Sequence, residues 1–464
     1  MSAIKDINGL IQSGYVPVAR VGFDVPLLIG VTGERFVQKI GSGVNGLIIK
    51  TVGRDAGFNI AIVVTGSSYV YAKVGNDITI TVPTTHTIRA LIADFAINGG
   101  TLSPYISLIA MTTGAGVLVA QALTAMSEIP EYTNIQDISQ LQYYYDSTDP
   151  EYVMVNNMLG GSDTHITNLY LLDVYSTLDV YGVPTQATRD LIKLYDVGDW
   201  YMAKVSSTAK AVISGINQYI STVKRLMIAT TDTLADLADV QGNIIYVGQQ
   251  TANKNDHPEA SWAAKALVPV PGSSLWKGVG NLQGQTVCNF DLTTQIQWRA
   301  AQGNLYVRNG INNFMQDGLV NNVGASASNP DYIDSHMLKD WLVLNMEADL
   351  LSLYLSKVAI GQKLDYDNKG INEVRSTIAA RLQTAGANGA LARVAEGNTK
   401  QAGLSYDGVF RFNVHVPTRA DVEAGSPTDI VQRILKNVTF WYIPSGGIEK
   451  ITFTGSEFIT EPAA

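Results

Sequence analysis

The chain is short of cysteine and of charge. Cys288 is the only cysteine among 464 residues, which excludes an intrachain disulfide framework and an all-cysteine metal cluster and fits folding in a reducing cytoplasm. Asp, Glu, Lys and Arg together make up 16% of the chain, against about 25% in average globular proteins. A surface with so few charges keeps a diffusing monomer in solution poorly, so much of it is expected to be buried against copies of itself or partners. Basic residues are also few: 32 Lys and Arg against 41 Asp and Glu leave a net charge of -9. No block of Lys or Arg reads as a phosphate-binding patch, so nucleic-acid binding is not expected. The N-terminus shows no basic region followed by an apolar run, so a secretion signal is not expected. No charge occurs from Phe95 to Ser127, but Thr112-Thr113-Gly114-Ala115-Gly116 and Gln121 interrupt that stretch. A helix crossing hydrocarbon would not carry such a centre, so membrane insertion is not expected.

At this length two to four domains are expected. Residues 1–20 carry Ile4, Ile7, Leu10 and Ile11 between Gly9 and Gly14 and suggest an arm with one short element. Residues 21–30 follow with Val21, Phe23, Val25, Leu27, Leu28 and Ile29, an alternating run that becomes wholly apolar, as a strand entering a core does. Residues 31–126 read as a β-rich unit with one or two helices: Phe58 to Val64 and Asp77 to Val82 are strand-like, while Ile88, Leu91, Ile92 and Phe95 have helical spacing. Residues 127–270 alternate helix and strand signals. Pro184 to Tyr195 and Ser207 to Lys224 read as helices, whereas Trp200 to Val205, Leu226 to Ala229 and Ile244 to Val247 read as buried strands. Two core helices are expected beyond Pro271, on the stripes Trp341, Leu344, Ala348, Leu351, Leu355, Val358 and Ile371, Val374, Ile378, Leu382, Ala385. The end of the chain reads as strands at Phe410 to Val416, Val438 to Ile443 and Ile448 to Gly455. The fold class expected is mixed α+β and α/β.

Chemical motifs are sparse. Gly41-Ser42-Gly43-Val44-Asn45-Gly46 has the spacing of a pyrophosphate loop, but a strand and not a helix follows it, so a glycine-rich turn is the better reading. His86, His165, His257, His336 and His415 fall in no zinc spacing. Asp163 with His165 and Asp256 with His257 read as loop or cap residues beside surface histidines. Asp146 to Glu151 lacks the ligand alternation of a calcium loop and reads as a solvated turn. Cys288 sits in Thr286 to Phe290, which reads as a strand with a buried thiol. No G-x-S-x-G elbow is present. No catalytic, cofactor-binding or metal-ligating residues are therefore expected, and the chain is not expected to be an enzyme.

Pro258-Glu259-Ala260-Ser261-Trp262, then Pro269-Val270-Pro271-Gly272-Ser273-Ser274-Leu275-Trp276-Lys277, resemble tail sheath proteins of contractile bacteriophages. Asn304-Leu305-Tyr306, Gly318, Gly324, Tyr332-Ile333-Asp334, Trp341, Lys363 with Gly370-Ile371, and Gly446-Gly447-Ile448 follow in the order of that family. Residues 31–126 are similar to the insertion that many phage sheaths place on their outer surface. The resemblance implies a discontinuous core sheath domain from 21–30 and 127–464, its α/β part at 127–270 and its inner tube-facing part at 271–464. It also implies a subunit of hexameric rings stacked helically around a tail tube protein, capped by baseplate and tail terminator proteins. Such a polymer contracts to drive the tube through a cell envelope during viral genome ejection. It would be located in the virion tail and assembled in the host bacterial cytoplasm. Terminal strands would complete the sheets of neighbouring copies, which makes Ile4, Ile7, Leu10, Ile448, Ile451, Phe453 and Phe458 the expected subunit-interface residues.

Overall fold

The computed structural model describes residues 22–445, apart from 32–35, 52–56, 112, 129–131, 142–144, 146, 162–163, 180, 197–199, 395–399, 402–403 and 406–407. The described residues fall into two compact units, one within Val18–Pro269 and Val279–Ile333, the other within Val270–Gly278 and Asp334–Ala464.

In the first unit, β1 (Pro26–Gly30) leads into the β-rich region: β2 (Phe36–Ile40), β3 (Leu47–Thr51), β4 (Asn59–Val64), β5 (Val70–Val74), β6 (Asp77–Val82), α1 (Ile88–Asn98), β7 (Ile106–Ala110), β8 (Gln121–Ala125) and β9 (Ser127–Glu128). Then come β10 (Tyr132–Ile135), α2 (Pro150–Leu159), β11 (Leu169–Asp173), α3 (Gln186–Leu194), β12 (Met202–Val205), α4 (Lys210–Ile220), β13 (Leu226–Thr231), β14 (Ile244–Gly248), α5 (Pro258–Ala266), α6 (Leu292–Ala300), β15 (Gly303–Asn309) and β16 (Asn312–Met315).

One eight-stranded sheet runs β10-β11-β1-β12-β13-β14-β15-β16. The strands from β11 to β15 are parallel, and the edge strands β10 and β16 are antiparallel to their neighbours. Helices cover both faces of a parallel sheet, so its central strands carry no polar face. β1, β12, β13 and β14 are accordingly buried at every position. The core includes Leu27, Ile29, Trp200, Ile213, Met227 and Tyr246. β1 sits in mid-sheet, so the chain enters the β-rich region from the middle of the core.

The β-rich region holds two four-stranded sheets, β7-β3-β2-β9 and β5-β6-β4-β8. Alternation in β6 buries Ile78, Ile80 and Val82 and leaves Asp77, Thr79 and Thr81 on the other face. Those residues pack with Leu47, Ile49, Ile60 and the α1 residues Ile88, Leu91 and Phe95. β5 and β6 meet across Gly75-Asn76, with Gly75 at φ +60°, where a two-residue hairpin needs a left-handed residue.

The second unit contains α7 (Ile333–Ala359), α8 (Asn368–Ala387), the short pair β17 (Lys400–Gln401) and β18 (Leu404–Ser405), β19 (Phe412–His415), α9 (Arg419–Gly425), α10 (Pro427–Gln432) and β20 (Thr439–Tyr442). The α8 stripe is buried as its spacing requires, with Ile378, Leu382 and Ala385 at 0% exposure. In α7 the expected stripe fails at its C-terminal end, where Leu355 and Val358 are exposed. Asp349 pairs with Arg381 of α8, and Lys357 with Glu373. At about 100° per residue those contacts lie on the side of α7 opposite Leu355 and Val358.

Three other sequence expectations change. Residues 286–290 form no strand; one Cys288 N–H bond to the Tyr306 carbonyl, 2.7 Å, lays that segment beside β15. Cys288 is nevertheless buried, which pushes its thiol up to about 11. His257 is buried and not a surface residue, because it bonds Glu259 in the interior. Glu151 is fully buried and not part of a solvated turn, because the first turn of α2 places it over the C-terminal ends of β1 and β12.

Candidate functional site

Open α/β sheets bind ligands in the crevice where the strand order reverses, beyond the C-terminal ends of the strands. Here the reversal falls between β1 and β12, since the chain proceeds from β1 to β11 on one side and then to β12, β13 and β14 on the other. The crevice is filled by the protein. Glu151 Oε1 accepts the Val31 N–H at 3.0 Å and the Ser206 hydroxyl at 2.5 Å, and the Ser206 oxygen also accepts the Val31 N–H at 3.0 Å. Gly30 makes room for this: a Cβ there would lie 3.2 Å from Glu151 Cγ.

One strand along lies a second polar cluster. Lys204, on β12, is fully buried and donates from Nζ to the Glu259 main-chain oxygen at 3.1 Å. Burial pushes its ammonium down to about 7, against the opposing pull of Glu259. Glu259 lies in the first turn of α5 and accepts a short hydrogen bond from the Thr230 hydroxyl of β13, with His257 Nδ1 2.9 Å away. Burial would raise the Glu259 carboxyl, but His257, Thr230 and Lys204 outweigh it and hold the group below its ordinary range. His257 has φ +54° immediately before Pro258, and Asn157 of α2 donates to the Asp256 carbonyl at 2.8 Å, tying α2 to this turn. The cluster is internally bonded and buried, and what it can do is join helices to the sheet.

Sequence reasoning missed Lys204 and Glu151. The legible signal for Lys204 was a lone lysine inside an otherwise apolar strand, which demands a buried acceptor. Of the five histidines, His86, His257 and His336 are buried and His165 and His415 exposed. His86 is fixed between the Pro83 carbonyl, 2.6 Å, and the Leu118 N–H, 2.8 Å. Among the described residues no group of three His, Cys, Asp or Glu could hold a metal ion, and no helix is long and apolar enough to cross a membrane.

In the second unit, β19 pairs antiparallel with β20, Phe412 opposite Tyr442 and Val414 opposite Phe440. Phe412 and Val414 are buried, and Arg375 of α8 donates to the Val414 carbonyl at 3.2 Å. The segment before β17 adds bridges from Leu391 to Pro444 and from Arg393 to Phe410. The expected interface residues Ile4, Ile7, Leu10, Ile448, Ile451, Phe453 and Phe458 lie outside the described residues.

These features define a multidomain protein with a mixed α/β core, a β-rich insertion after its first strand, and a crevice occupied by its own carboxylate. No family model and no curated protein matches the chain. Among solved structures it is similar to a chain of the six-fold symmetrised anti-feeding prophage baseplate, at 15% identity over 71% of this chain and 88% of that one, TM-score 0.49. It is also similar to the sheath tail protein of Desulfitobacterium hafniense (11% identity, 86% and 91% covered, TM-score 0.40) and to that of Listeria innocua (10%, 89% and 92%, TM-score 0.39).

Proposed function

We propose that this chain is a structural subunit of a contractile tail sheath, which polymerises helically around a tail tube and contracts to drive it through a cell envelope. The observation that carries the reading is the β19–β20 pair. β19 and β20 form a two-stranded pair packed on α8 and bridged at one end by residues 391–393, and the alternating segment Ile448 to Gly455 follows β20 closely in sequence. Strands contributed by the terminal segments of neighbouring copies would complete that sheet and link subunits into a mesh. The scarcity of charge and the order of the motifs from His257 to Ile448 support the same reading. On it, residues 31–126 form an outer domain, and the partners are further copies in hexameric rings, a tube protein, and baseplate and terminator proteins. Contraction would be a rigid-body rearrangement driven by interfaces, with no cofactor.

Truncation before Ile448 tests this. The shortened protein is expected to stay folded and monomeric where the full chain polymerises; full-length tubes from the truncated chain would contradict strand exchange.

A further inference from the structure

Lys50 lies in β3 on the face of sheet β7-β3-β2-β9 opposite the β-rich core. It is directly across from Val37 in the strand register and shares that face with Ile48. Val37, Ile48 and Lys50 are all under 5% exposed, so this second face is covered as well. An ammonium buried this deeply needs a counter-charge. Its partner is Asp149, 3.3 Å away, the residue that precedes the first turn of α2.

Two residues further on, Glu151 of the same turn holds the N–H of Val31, the last described residue before β2, together with Ser206 at the end of β12. The β-rich region is therefore gripped from two sides by one helix turn: Asp149 reaches its sheet, and Glu151 fixes the point where the chain leaves the core. α2 is itself anchored to the core through Asn157 and the Asp256 carbonyl.

We propose that the first turn of α2 is the joint that sets the orientation of the β-rich region on the α/β sheet. Asp149–Lys50 is its latch and Glu151–Val31 its pivot. This inference rests on the first unit alone and stands whether or not the protein forms a sheath.

The test is a distance distribution between spin labels at Val74→Cys, on the exposed β5–β6 hairpin, and Leu194→Cys, at the exposed end of α3, in a Cys288→Ser background. With Lys50 and Asp149 intact, one narrow distribution is expected. Lys50→Met and Asp149→Asn are each expected to broaden it about twofold or more, with the circular dichroism spectrum unchanged. The exchanged pair Lys50→Glu with Asp149→Lys is expected to narrow it again. A distribution that Lys50→Met leaves unchanged would overturn the joint, as would broadening that the exchanged pair does not reverse. Glu151→Gln, which keeps the shape of the side chain, provides an independent arm, read as amide exchange at Val31 speeding by about tenfold relative to β13 and β14.

Discussion

Lys204 and Glu259 meet through the main chain of one and the side chain of the other: the Lys204 ammonium donates to the Glu259 carbonyl oxygen at 3.1 Å, while the Glu259 carboxylate turns to Thr230 and His257. The lysine charge is thus neutralised only at a distance, and burial dominates its titration.

A pH dependence follows. In the unfolded chain a lysine titrates near 10.4, and in the folded protein Lys204 titrates at about 7. Between those values the unfolded state binds more protons, so stability rises with pH across that window and is flat below it as far as this group is concerned. Chemical denaturation from pH 6 to pH 10 is expected to show the rise, and Lys204→Met to remove it.

Glu259 makes stability rise with pH as well, in a more acidic window. Its carboxyl is held below its ordinary range in the fold, so its contribution is present above the unfolded value of about 4.3 and is lost as pH falls through the folded one. Glu259→Gln is expected to flatten the acid limb of the unfolding curve, measured by fluorescence between pH 5 and pH 2.

Glu151 fills the sheet crevice with two hydrogen bonds. Glu151→Ala leaves a void and removes an acceptor, and is expected to cost about 2–4 kcal/mol. Glu151→Gln, which keeps the shape and an acceptor oxygen, is expected to cost less. Urea unfolding of both variants checks the order.

The helices of the second unit separate packing from surface. Ile378→Ala or Leu382→Ala in α8 is expected to cost about 2–5 kcal/mol because both are fully buried. Leu355→Ala or Val358→Ala in α7 is expected to stay within about 0.5 kcal/mol, because those side chains face away from α8. Thermal unfolding of the four variants decides this.

Much of this architecture is legible from local pattern. The central strands read as apolar runs because parallel strands are buried on both faces, and the α8 stripe matches its burial. The glycines of residues 41–46 form a turn before β3, as the strand after them implies. Pattern alone does not say which face a neighbouring helix covers, so Leu355 and Val358 continue the apolar stripe in sequence but are exposed in the fold. It also does not reveal long-range polar partners: Glu151 and Val31 are 120 residues apart in sequence, and an acidic loop looks solvated until the strand ends it packs on are known. The sheath-like motifs prove to be packing elements. Trp262 and Trp276 are buried, and Asn304 bonds the Tyr246 and Leu319 carbonyls and the Leu319 N–H, joining β14 and β15 to the loop that follows β16.

The most direct measurement is negative-stain electron microscopy of the purified full-length protein over a range of concentrations, with and without preformed tail tubes as template. Hollow striated cylinders with six-fold end views are the predicted result. Uniform small particles at every concentration, template present, would contradict a sheath.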